Sequence, residues 1–338
     1  MCTSLLYTDA AGAAYAGRTM EFMEPFPWRG AYLPAGIRVR SHPAPGVQPR
    51  TFTTTHRILA MTGNVETSDA WTVANSKIVE GLNDAGLSFS LLSFADAAGP
   101  AMSATKTLAA LSALDLGSWT LGQFATVAEV KAALRDQPVL LAPVLNVFGP
   151  TNAPFHYVLH DRTGATIVIE FAAGKQTIYD DPVGVMTNGP ELSWHLTNLN
   201  NYTYLSNVDR STNQFGTLRV SQPDFGIATS GLPASNTSVG RFVRAVYYAQ
   251  YVHKAASPDE AIVTLAHIMN NFDRPLDATI DFPTAANEGA YSSEYTQFTA
   301  LCDLNRGVLC IRSSDSINYT RFEMAALATT TKITSLAT

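Results

Sequence analysis

The alternation of apolar and polar positions at the start of the chain predicts a β-hairpin. Residues 3–8 form its first strand, Asp9-Ala10-Ala11-Gly12 form the turn, and residues 13–20 form the return strand. A second turn-like run, Asn83-Asp84-Ala85-Gly86, precedes residues 87–94, whose apolar composition predicts a buried strand. The first hairpin would hold the N-terminus against a sheet.

The middle of the chain predicts helices and an antiparallel meander. Thr126-Val127-Ala128-Glu129 has the capping-box pattern and opens a helix that extends to about residue 136. The meander has strands at 155–160, 165–171, 175–180 and 184–188, with a turn at 161–164. Further helices are expected at about 194–202, at 238–254 and, after the cap Ser257-Pro258-Asp259-Glu260, up to about residue 271. The tail returns to strands at 295–303, 308–312 and 317–322.

The order of these elements indicates an α+β fold. Strands at both ends and in the middle, with helices between them, favour a layered α+β architecture over alternating βαβ units. Residues 25–49 are rich in Pro and Gly and predict a loop that is longer than a simple connection requires. Because no repeat or linker interrupts the chain, residues 2–338 are predicted to form a single domain.

Composition and charge narrow the classes of partner. Apolar residues make up 46% of the sequence and charged residues 15%, which predicts a compact globular protein. A net charge of -6 without a basic run argues against nucleic acid or an anionic membrane as a partner. The chain lacks both the ~20 consecutive apolar residues of a membrane helix and an export-signal pattern at its start. We expect a cytoplasmic protein, or a periplasmic one if a leader was removed.

The three cysteines do not form a recognisable framework. Cys302 and Cys310 flank residues 305–307 almost symmetrically, so a hairpin there would place them opposite each other on neighbouring strands. They would be buried thiols or, in an oxidising compartment, a disulfide. Three cysteines at this spacing do not predict a zinc site, and Cys2 is left unpaired in either case.

Cys2 has the chemistry of a self-activating nucleophile once Met1 is removed. A cysteine thiol is mostly protonated at pH 7 and needs a nearby base to become nucleophilic. The α-amino group of an N-terminal residue titrates at roughly 7.7–8.0 and would belong to the same residue as the sulfur. Position alone is a weak signal, because most second residues have no such role.

Five sequence blocks strengthen the interpretation. They are Met1-Cys2-Thr3, Gly17-Arg18-Thr19-Met20-Glu21-Phe22, Asn83-Asp84-Ala85-Gly86-Leu87, Met186-Thr187-Asn188-Gly189-Pro190 and Gly240-Arg241-Phe242-Val243-Arg244. In order and spacing this chain resembles the choloylglycine hydrolase family, which contains the bile salt hydrolases and penicillin V acylases. The resemblance implies a four-layer αββα sandwich of two antiparallel sheets, the N-terminal nucleophile hydrolase fold. It also suggests a homotetramer.

The resemblance implies a catalytic role for each matched position. Cys2 would be the nucleophile, Arg18 the cation beside its sulfur, and Arg241 a further polar group at the start of a helix. Asn188 and the backbone N–H of Ser93 would stabilise the oxyanion. Without the resemblance, Arg18 and Arg241 would be interpreted as solvated surface charges, and Asn188-Gly189-Pro190 as an ordinary turn.

Two positions depart from the family pattern. Glu21 stands where the best-known members have Asp, the acid that orients the α-amino group, so the role is expected to persist with a longer side chain. Ser93 stands where bile salt hydrolases tend to have Asn and penicillin V acylases Tyr. Its backbone N–H is indifferent to this change, whereas substrate preference is not. The loss of Asn favours the acylase side.

An apolar acyl group is the expected specificity element. The resemblance places Met20, Phe22, Met23 and Phe26 at the acyl pocket, with the apolar run 139–148 as a second wall. The alternative is that these residues belong to the core.

We therefore predict an enzyme that hydrolyses a linear amide of a small molecule, such as a conjugated bile acid, penicillin V or an acyl-homoserine lactone, with no cofactor. Two alternatives stay open at this point. One is a non-catalytic amphiphile binder that has the same fold. The other is a Cys–His peptidase that uses His156, His160 or His195.

Overall fold

The structure is a computed structural model, and it describes residues 1–41, 46–64, 76–100, 109–141, 153–283 and 289–338. Its strands, numbered in chain order, are β1 (Cys2–Thr8), β2 (Ala14–Phe22), β3 (Arg29–Leu33), β4 (Arg38–Arg40), β5 (Thr51–Thr53), β6 (Ile58–Asn64), β7 (Ser76–Asn83), β8 (Leu87–Ser93), β9 (Leu111–Ser112), β10 (Val139–Leu140), β11 (Phe155–Asp161), β12 (Thr166–Ala172), β13 (Lys175–Asp180), β14 (Val185–Met186), β15 (Thr212–Phe215), β16 (Leu218–Ser221), β17 (Tyr295–Asp303), β18 (Val308–Ser313), β19 (Thr320–Glu323) and β20 (Thr334–Leu336). Its α-helices are α1 (Leu116–Gln123), α2 (Val127–Ala133), α3 (Leu192–Asn198), α4 (Ser238–Tyr251) and α5 (Pro258–Met269). Among the described residues, no helix is long and apolar enough to cross a membrane.

Two antiparallel sheets form the centre of the fold. One has six strands in the order β14-β1-β2-β17-β18-β19, and the other has eight in the order β13-β12-β11-β8-β7-β6-β3-β20. Most strands of both sheets are buried over nearly their whole length, in agreement with sheets that are covered on both faces. The chain crosses between the sheets several times, and both of its ends contribute strands.

Helices cover the outer face of each sheet, which completes the αββα sandwich. Helices α4 and α5 pack on the six-stranded sheet, against β1, β2 and β17, whereas α1 packs on β7 and β8 of the eight-stranded sheet. Thr237 and Ser257 cap α4 and α5 by accepting backbone N–H groups of the first turn. The two sheets therefore face each other in the middle of the molecule.

Glycine permits the closest helix-to-sheet approach. A Cβ at Gly117 of α1 would lie 2.8 Å from Cβ of Ile78 and 2.9 Å from the ring of Phe89. Glycine in a helix costs about 1 kcal/mol relative to Ala, so its presence here reflects packing rather than helix propensity. The helix can lie on β7 and β8 because this position has no side chain.

The predicted hairpin, the meander and the helices are confirmed, with modest changes at their ends. The strand predicted at 184–188 is reduced to β14, and the helix predicted at 194–202 is α3 followed by a 3₁₀ turn. The long loop predicted at 25–49 was wrong, because β3 and β4 lie within it. β3 is held between β6 and β20, and these partners are remote in sequence and were not predicted.

The two C-terminal cysteines lie on a hairpin, as predicted, but not opposite each other. The loop between Asp303 and Val308 has four residues, so Cys302 pairs with Leu309 while Cys310 pairs with Leu301. Side chains alternate along a strand, and the two thiols therefore point to opposite faces of the sheet. All three cysteines are free thiols, and the disulfide alternative was wrong.

The close contact at Gly117 generates a stability prediction. We expect Gly117→Val to lower the free energy of unfolding by about 2 kcal/mol, because the new side chain would collide with Ile78 and Phe89. Urea denaturation followed by circular dichroism measures the change. Ala128→Val, at an exposed position of helix α2, is the matched control and should stay within about 0.5 kcal/mol of the wild type. Equal effects of the two substitutions would contradict the packing explanation.

Candidate active site

Cys2 lies buried at the first position of β1, with its sulfur facing the other sheet. In the antiparallel register Cys2 pairs with Met20 and Ser4 pairs with Arg18, so these four side chains lie on the same face. The Nη2 atom of Arg18 lies 3.4 Å from the Cys2 sulfur. Arg18 is only 1% exposed, and its interpretation as a surface charge was wrong.

The guanidinium of Arg18 is fixed from three sides. Its Nη2 donates to the carbonyl of Leu91 on the facing sheet at 2.7 Å, and it also lies 3.2 Å from the sulfur of Met20. The ring of Phe298 lies under the guanidinium at 5.1 Å, a cation–π distance. Nε and Nη1 of Arg18 are buried and have no hydrogen-bond partner in the described part of the chain. The arginine therefore bridges the two sheets beside the sulfur.

Asn188 follows β14 and connects three parts of the site. Its Oδ1 accepts from the backbone nitrogen of Cys2 at 2.9 Å and from Nη2 of Arg241 at 2.6 Å. Its Nδ2 donates one hydrogen to the carbonyl of Ser93 at 2.7 Å. The amide of Asn188 thus lies between the start of β1 and the end of β8.

The backbone of Ser93 is oriented towards the same point. The N–H of Phe94 donates to the carbonyl of Pro154, which directly precedes β11. Neighbouring residues of a strand direct their N–H and C=O groups to opposite edges, so the N–H and C=O of Ser93 point away from β11. The carbonyl of Ser93 on that edge meets Asn188, and Ser93 lines the same cavity as Cys2. The N–H of Ser93 is therefore directed to the Asn188 side.

Arg241 approaches Cys2 from the opposite face of the sheet. It lies in the first turn of α4, fully buried, and its Nη1 donates to the carbonyl of Cys2 and, at 2.8 Å, to Oγ1 of Thr3. Burial lowers the pKa of the Arg241 guanidinium from its ordinary value, while the neighbouring Glu21 and Cys2 act in the other direction. The alternative of an exposed helix charge was wrong.

Glu21 lies on the helix-covered face of β2, next to Met1. Its Oε1 accepts from Oγ1 of Thr296 at 3.0 Å, whereas its Oε2 is buried and has no hydrogen-bond partner among the residues described. A buried carboxylate oxygen without a partner is unusual and indicates a ligand or a missing donor. Met1 still precedes Cys2 here, so the Cys2 nitrogen is an amide rather than an amine.

A cavity of about 200 Å³ opens beside the Cys2 sulfur. The predicted acyl-pocket residues Met20, Phe22, Met23 and Phe26 all line it. Sequence reasoning missed the opposite wall, which the eight-stranded sheet and its neighbours contribute through Gly63, Lys77, Val79, Leu91, Leu114 and Phe155. Of the predicted run 139–148, Val139 and Leu140 form β10, and residues 142–148 lie outside the described residues.

The profile of the family described as linear amide C–N hydrolases, choloylglycine hydrolase family, matches residues 2–335 of the sequence. The chain belongs to the choloylglycine hydrolase family. It is therefore an enzyme of the class that hydrolyses linear amide C–N bonds, as predicted. The match covers Cys2 and the other residues predicted to be catalytic, from Arg18 to Arg241.

Individual relatives agree with the family assignment. A conjugated bile acid hydrolase from Lactobacillus acidophilus is 28% identical over 324 residues, which are 96% of this chain and 93% of that protein. A mutant of the conjugated bile acid hydrolase from Clostridium perfringens superposes with a TM-score of 0.82 at 22% identity, covering 100% of this chain and 97% of that one. Penicillin V acylase from Agrobacterium tumefaciens superposes with a TM-score of 0.78 at 21% identity, and the superposition covers 99% of this chain and 91% of that one. The predicted fold is confirmed.

The histidines considered for a Cys–His dyad are engaged elsewhere. Nε2 of His156 donates to the carbonyl of Thr187 at 3.1 Å, and Nε2 of His195 donates to that of Asn188 at 3.0 Å. His160 contacts Ser4 and Thr166, and burial lowers its pKa to about 3. Two of the three histidines thus hold the loop that carries Asn188, and the geometry does not support a dyad.

Glu80 is a buried acid that sequence reasoning missed. It lies on β7 between the two sheets, where its Oε1 is 4.0 Å from the sulfur of Cys302 and its Oε2 has no partner in the described chain. Burial raises its pKa to about 7, an effect that the charge of Arg18 and a hydrogen bond from Ser90 partly offset. The available signal was an acidic residue within the otherwise uncharged run Ile78-Val79-Glu80-Gly81-Leu82.

The raised pKa of Glu80 predicts a pH-dependent stability. Because the pKa is about 7 in the folded state against an ordinary 4.5, the folded protein holds this proton more tightly than the unfolded chain. The stabilisation that this bound proton gives to the folded state is complete at pH values below the ordinary pKa of 4.5, and it is lost as the pH rises through about 7. We expect this loss to amount to about 3 kcal/mol at most.

Urea denaturation of wild type and Glu80→Gln between pH 4.5 and pH 8 measures this contribution. The other titrating groups are common to both proteins, so the difference between the two curves of unfolding free energy against pH belongs to Glu80. The glutamine variant should lose less stability over that interval. Glu323→Gln, at an exposed position, serves as control and should follow the wild type. Parallel curves for wild type and Glu80→Gln would contradict the prediction.

Proposed function

We propose that the mature enzyme hydrolyses N-acyl amides with Cys2 as its nucleophile. The observation that carries the proposal is the position of the Cys2 sulfur, 3.4 Å from a buried arginine and at the wall of an apolar cavity. The sulfur attacks the amide carbonyl, the amine leaves, and water then releases the acyl group from the thioester. The positive charge of Arg18 stabilises the thiolate in a water-poor space.

Removal of Met1 supplies the base. The Cys2 nitrogen then becomes a free α-amine that takes the proton of the thiol and delivers it to the leaving nitrogen. Asn188 Oδ1 already accepts a hydrogen bond from this nitrogen. We assign Glu21 as the second acceptor of the new ammonium group, because its buried Oε2 has no hydrogen-bond partner among the described residues.

The oxyanion is stabilised by two donors. Asn188 Nδ2 has a second hydrogen that is not used by Ser93, and the N–H of Ser93 is directed to the same side of β8. Arg241 acts through Asn188 and the carbonyl of Cys2, which it holds in place. Because a backbone donor is independent of the side chain, Ser93 does not weaken this stabilisation.

The cavity favours an apolar acyl group. Its walls are mainly aromatic and aliphatic side chains, including Phe22, Phe26 and Trp28. The relatives described above are bile acid hydrolases and a penicillin V acylase, so conjugated bile acids and penicillin V are the first substrates to test, with a long-chain acyl-homoserine lactone as the alternative. The non-catalytic binder is disfavoured, because the residues around Cys2 form a connected set of hydrogen bonds.

Replacement of the nucleophile tests the proposal directly. We expect Cys2→Ala to reduce hydrolysis of every accepted substrate by at least about 10³-fold, because the covalent step is lost. Amine release from penicillin V, glycocholate and a long-chain acyl-homoserine lactone measures this effect, and mass spectrometry verifies the loss of Met1. Cys310→Ala removes a thiol that lies outside the site and should remain active. Comparable activity of wild type and Cys2→Ala would contradict the proposed mechanism.

We further propose that the protein is a homo-oligomer, with the tetramer as the expected form. Strands β15 and β16 form a two-stranded hairpin that is separate from both large sheets. It exposes Phe215 and Leu218, and Phe225 nearby is 90% exposed. An isolated hairpin is only marginally stable in water, and exposed apolar groups of this kind indicate contact with another chain.

The oligomer proposal predicts dissociation on removal of these apolar groups. We expect the double substitution Phe215→Ser, Leu218→Ser to lower the solution mass measured by light scattering, because the apolar contact between subunits is lost. Val263→Ser, on the exposed face of α5, should leave the mass unchanged. A wild type with the mass of one chain, 36.3 kDa, would overturn the proposal.

A further inference from the structure

The α-amino group of Met1 is held in a specific pocket. Its nitrogen lies 2.9 Å from Oε2 of Glu294 and 3.0 Å from the carbonyl oxygen of Glu21. The carbonyl of Met1 in turn accepts the N–H of Glu21 at 2.9 Å. One residue is thus bound through a primary ammonium group and through a pair of backbone hydrogen bonds.

Excision of Met1 frees all of these groups together. The carboxylate of Glu294 is only 21% exposed and loses the ammonium ion that it now pairs with. Arg274 remains as its neighbour, but at 3.7 Å and without a short hydrogen bond. The N–H and C=O of Glu21 are released at the same time. A partly buried carboxylate and a carbonyl then face a vacated space of the shape of one amino-acid residue.

This space adjoins the reaction centre. One residue of extended chain spans at most ~3.6 Å, so Oε2 of Glu294 lies within about 7 Å of the Cys2 nitrogen. Met1, Cys2 and Glu294 line the same cavity. Hydrolysis of an amide releases a primary amine from the carbon that the Cys2 sulfur attacks, and this amine takes up a proton as it leaves.

We infer that Glu294, together with the carbonyl of Glu21, binds the primary ammonium group of the departing amine in the space that Met1 vacates. The inference rests on the proposed function. The acyl carbon forms its bond with the Cys2 sulfur, and the nitrogen takes the proton that the thiol gave up, so that it carries a positive charge until the C–N bond breaks. The amine leaves as a neutral molecule and becomes an ammonium ion by taking a second proton from water. Glu294 stabilises the positive charge on this nitrogen in both species.

The position of Glu294 favours binding of the departing amine over binding of the Cys2 amine. The Cys2 nitrogen already faces Oδ1 of Asn188 at 2.9 Å, whereas Glu294 contacts the nitrogen one residue further along the chain. The present occupant of the Glu294 pocket is itself a primary ammonium ion. A primary ammonium ion is therefore the class of ligand that the contact between Met1 and Glu294 indicates.

A comparison of an amide with an ester tests the inference. N-Propyl phenoxyacetamide and the 4-nitrophenyl ester of phenoxyacetic acid give the same acyl-enzyme, but only the amide releases a basic amine that becomes an ammonium ion. We expect Glu294→Gln to lower kcat/KM for the amide about tenfold and to leave the ester unchanged, since a hydrogen bond to a charged group is lost. Glu294→Asp should recover part of the amide activity. Glu323→Gln, on the surface, should match the wild type.

Binding of a simple amine gives a second readout that does not depend on turnover. We expect n-propylammonium to bind the Met1-free enzyme in calorimetry and to bind Glu294→Gln about tenfold more weakly. Equal losses for amide and ester, or unchanged binding of n-propylammonium, would overturn the inference. A wild type that hydrolyses neither substrate would instead overturn the proposed function, and the calorimetric comparison would still decide the role of Glu294.

Discussion

The pairing of β1 between β2 and β14 is the constraint on which the rest of the site depends. β1 and β2 pair from Cys2 opposite Met20 to Thr8 opposite Ala14, without a bulge. This register puts the Cys2 sulfur and Arg18 on the face between the sheets, and Thr3 and Glu21 on the face beneath the helices. A slip of one residue would exchange the two sets and separate the sulfur from its cation.

The same arrangement explains how so many charges can be buried near one another. Arg18 and Arg241 are both almost fully inaccessible to water, and they approach Cys2 from opposite faces of one strand. Desolvation of an arginine is unfavourable unless its hydrogen bonds are satisfied. Carbonyls, a carboxamide and a hydroxyl provide the partners of Arg241, whereas Arg18 has partners only at Nη2 among the described residues and also rests on the ring of Phe298. The site therefore combines strong electrostatic interactions with fixed geometry, which is the condition for stabilising a developing charge.

Much of this organisation could be predicted from the sequence, and the exceptions have physical causes. Local signals located the first hairpin and the capped helices, since turns and caps depend on neighbouring residues. β3 was missed because its partners β6 and β20 are distant in sequence, and its Pro/Gly-rich surroundings resemble a loop. The predicted pairing of Cys302 with Cys310 was wrong by one position, because the length of the loop between two strands cannot be inferred from the symmetry of the sequence around it. A single domain over residues 2–338 stays a prediction, which the pairing of β20 with β3 supports.

Among the charged residues of the site, those within the family blocks were predicted and those outside the blocks were missed. The five family blocks identified Cys2, Arg18, Glu21, Asn188 and Arg241, which the structure brings together. Glu80 and Glu294 were missed because their significance depends on packing between distant strands rather than on a local pattern. Neither carboxylate belongs to a motif that a single sequence displays.

The pocket around Met1 also limits how the protein can be produced. Met1 is surrounded by Glu294, Arg274 and the end of β2, and it lines the same cavity as Cys2, so a purification tag joined ahead of it would begin beside the reaction centre. Such a fusion would keep the Cys2 nitrogen acylated and fill the space that substrate needs. Just beyond β20, Thr338 is exposed, and an affinity label attached there would leave the Cys2 nitrogen free.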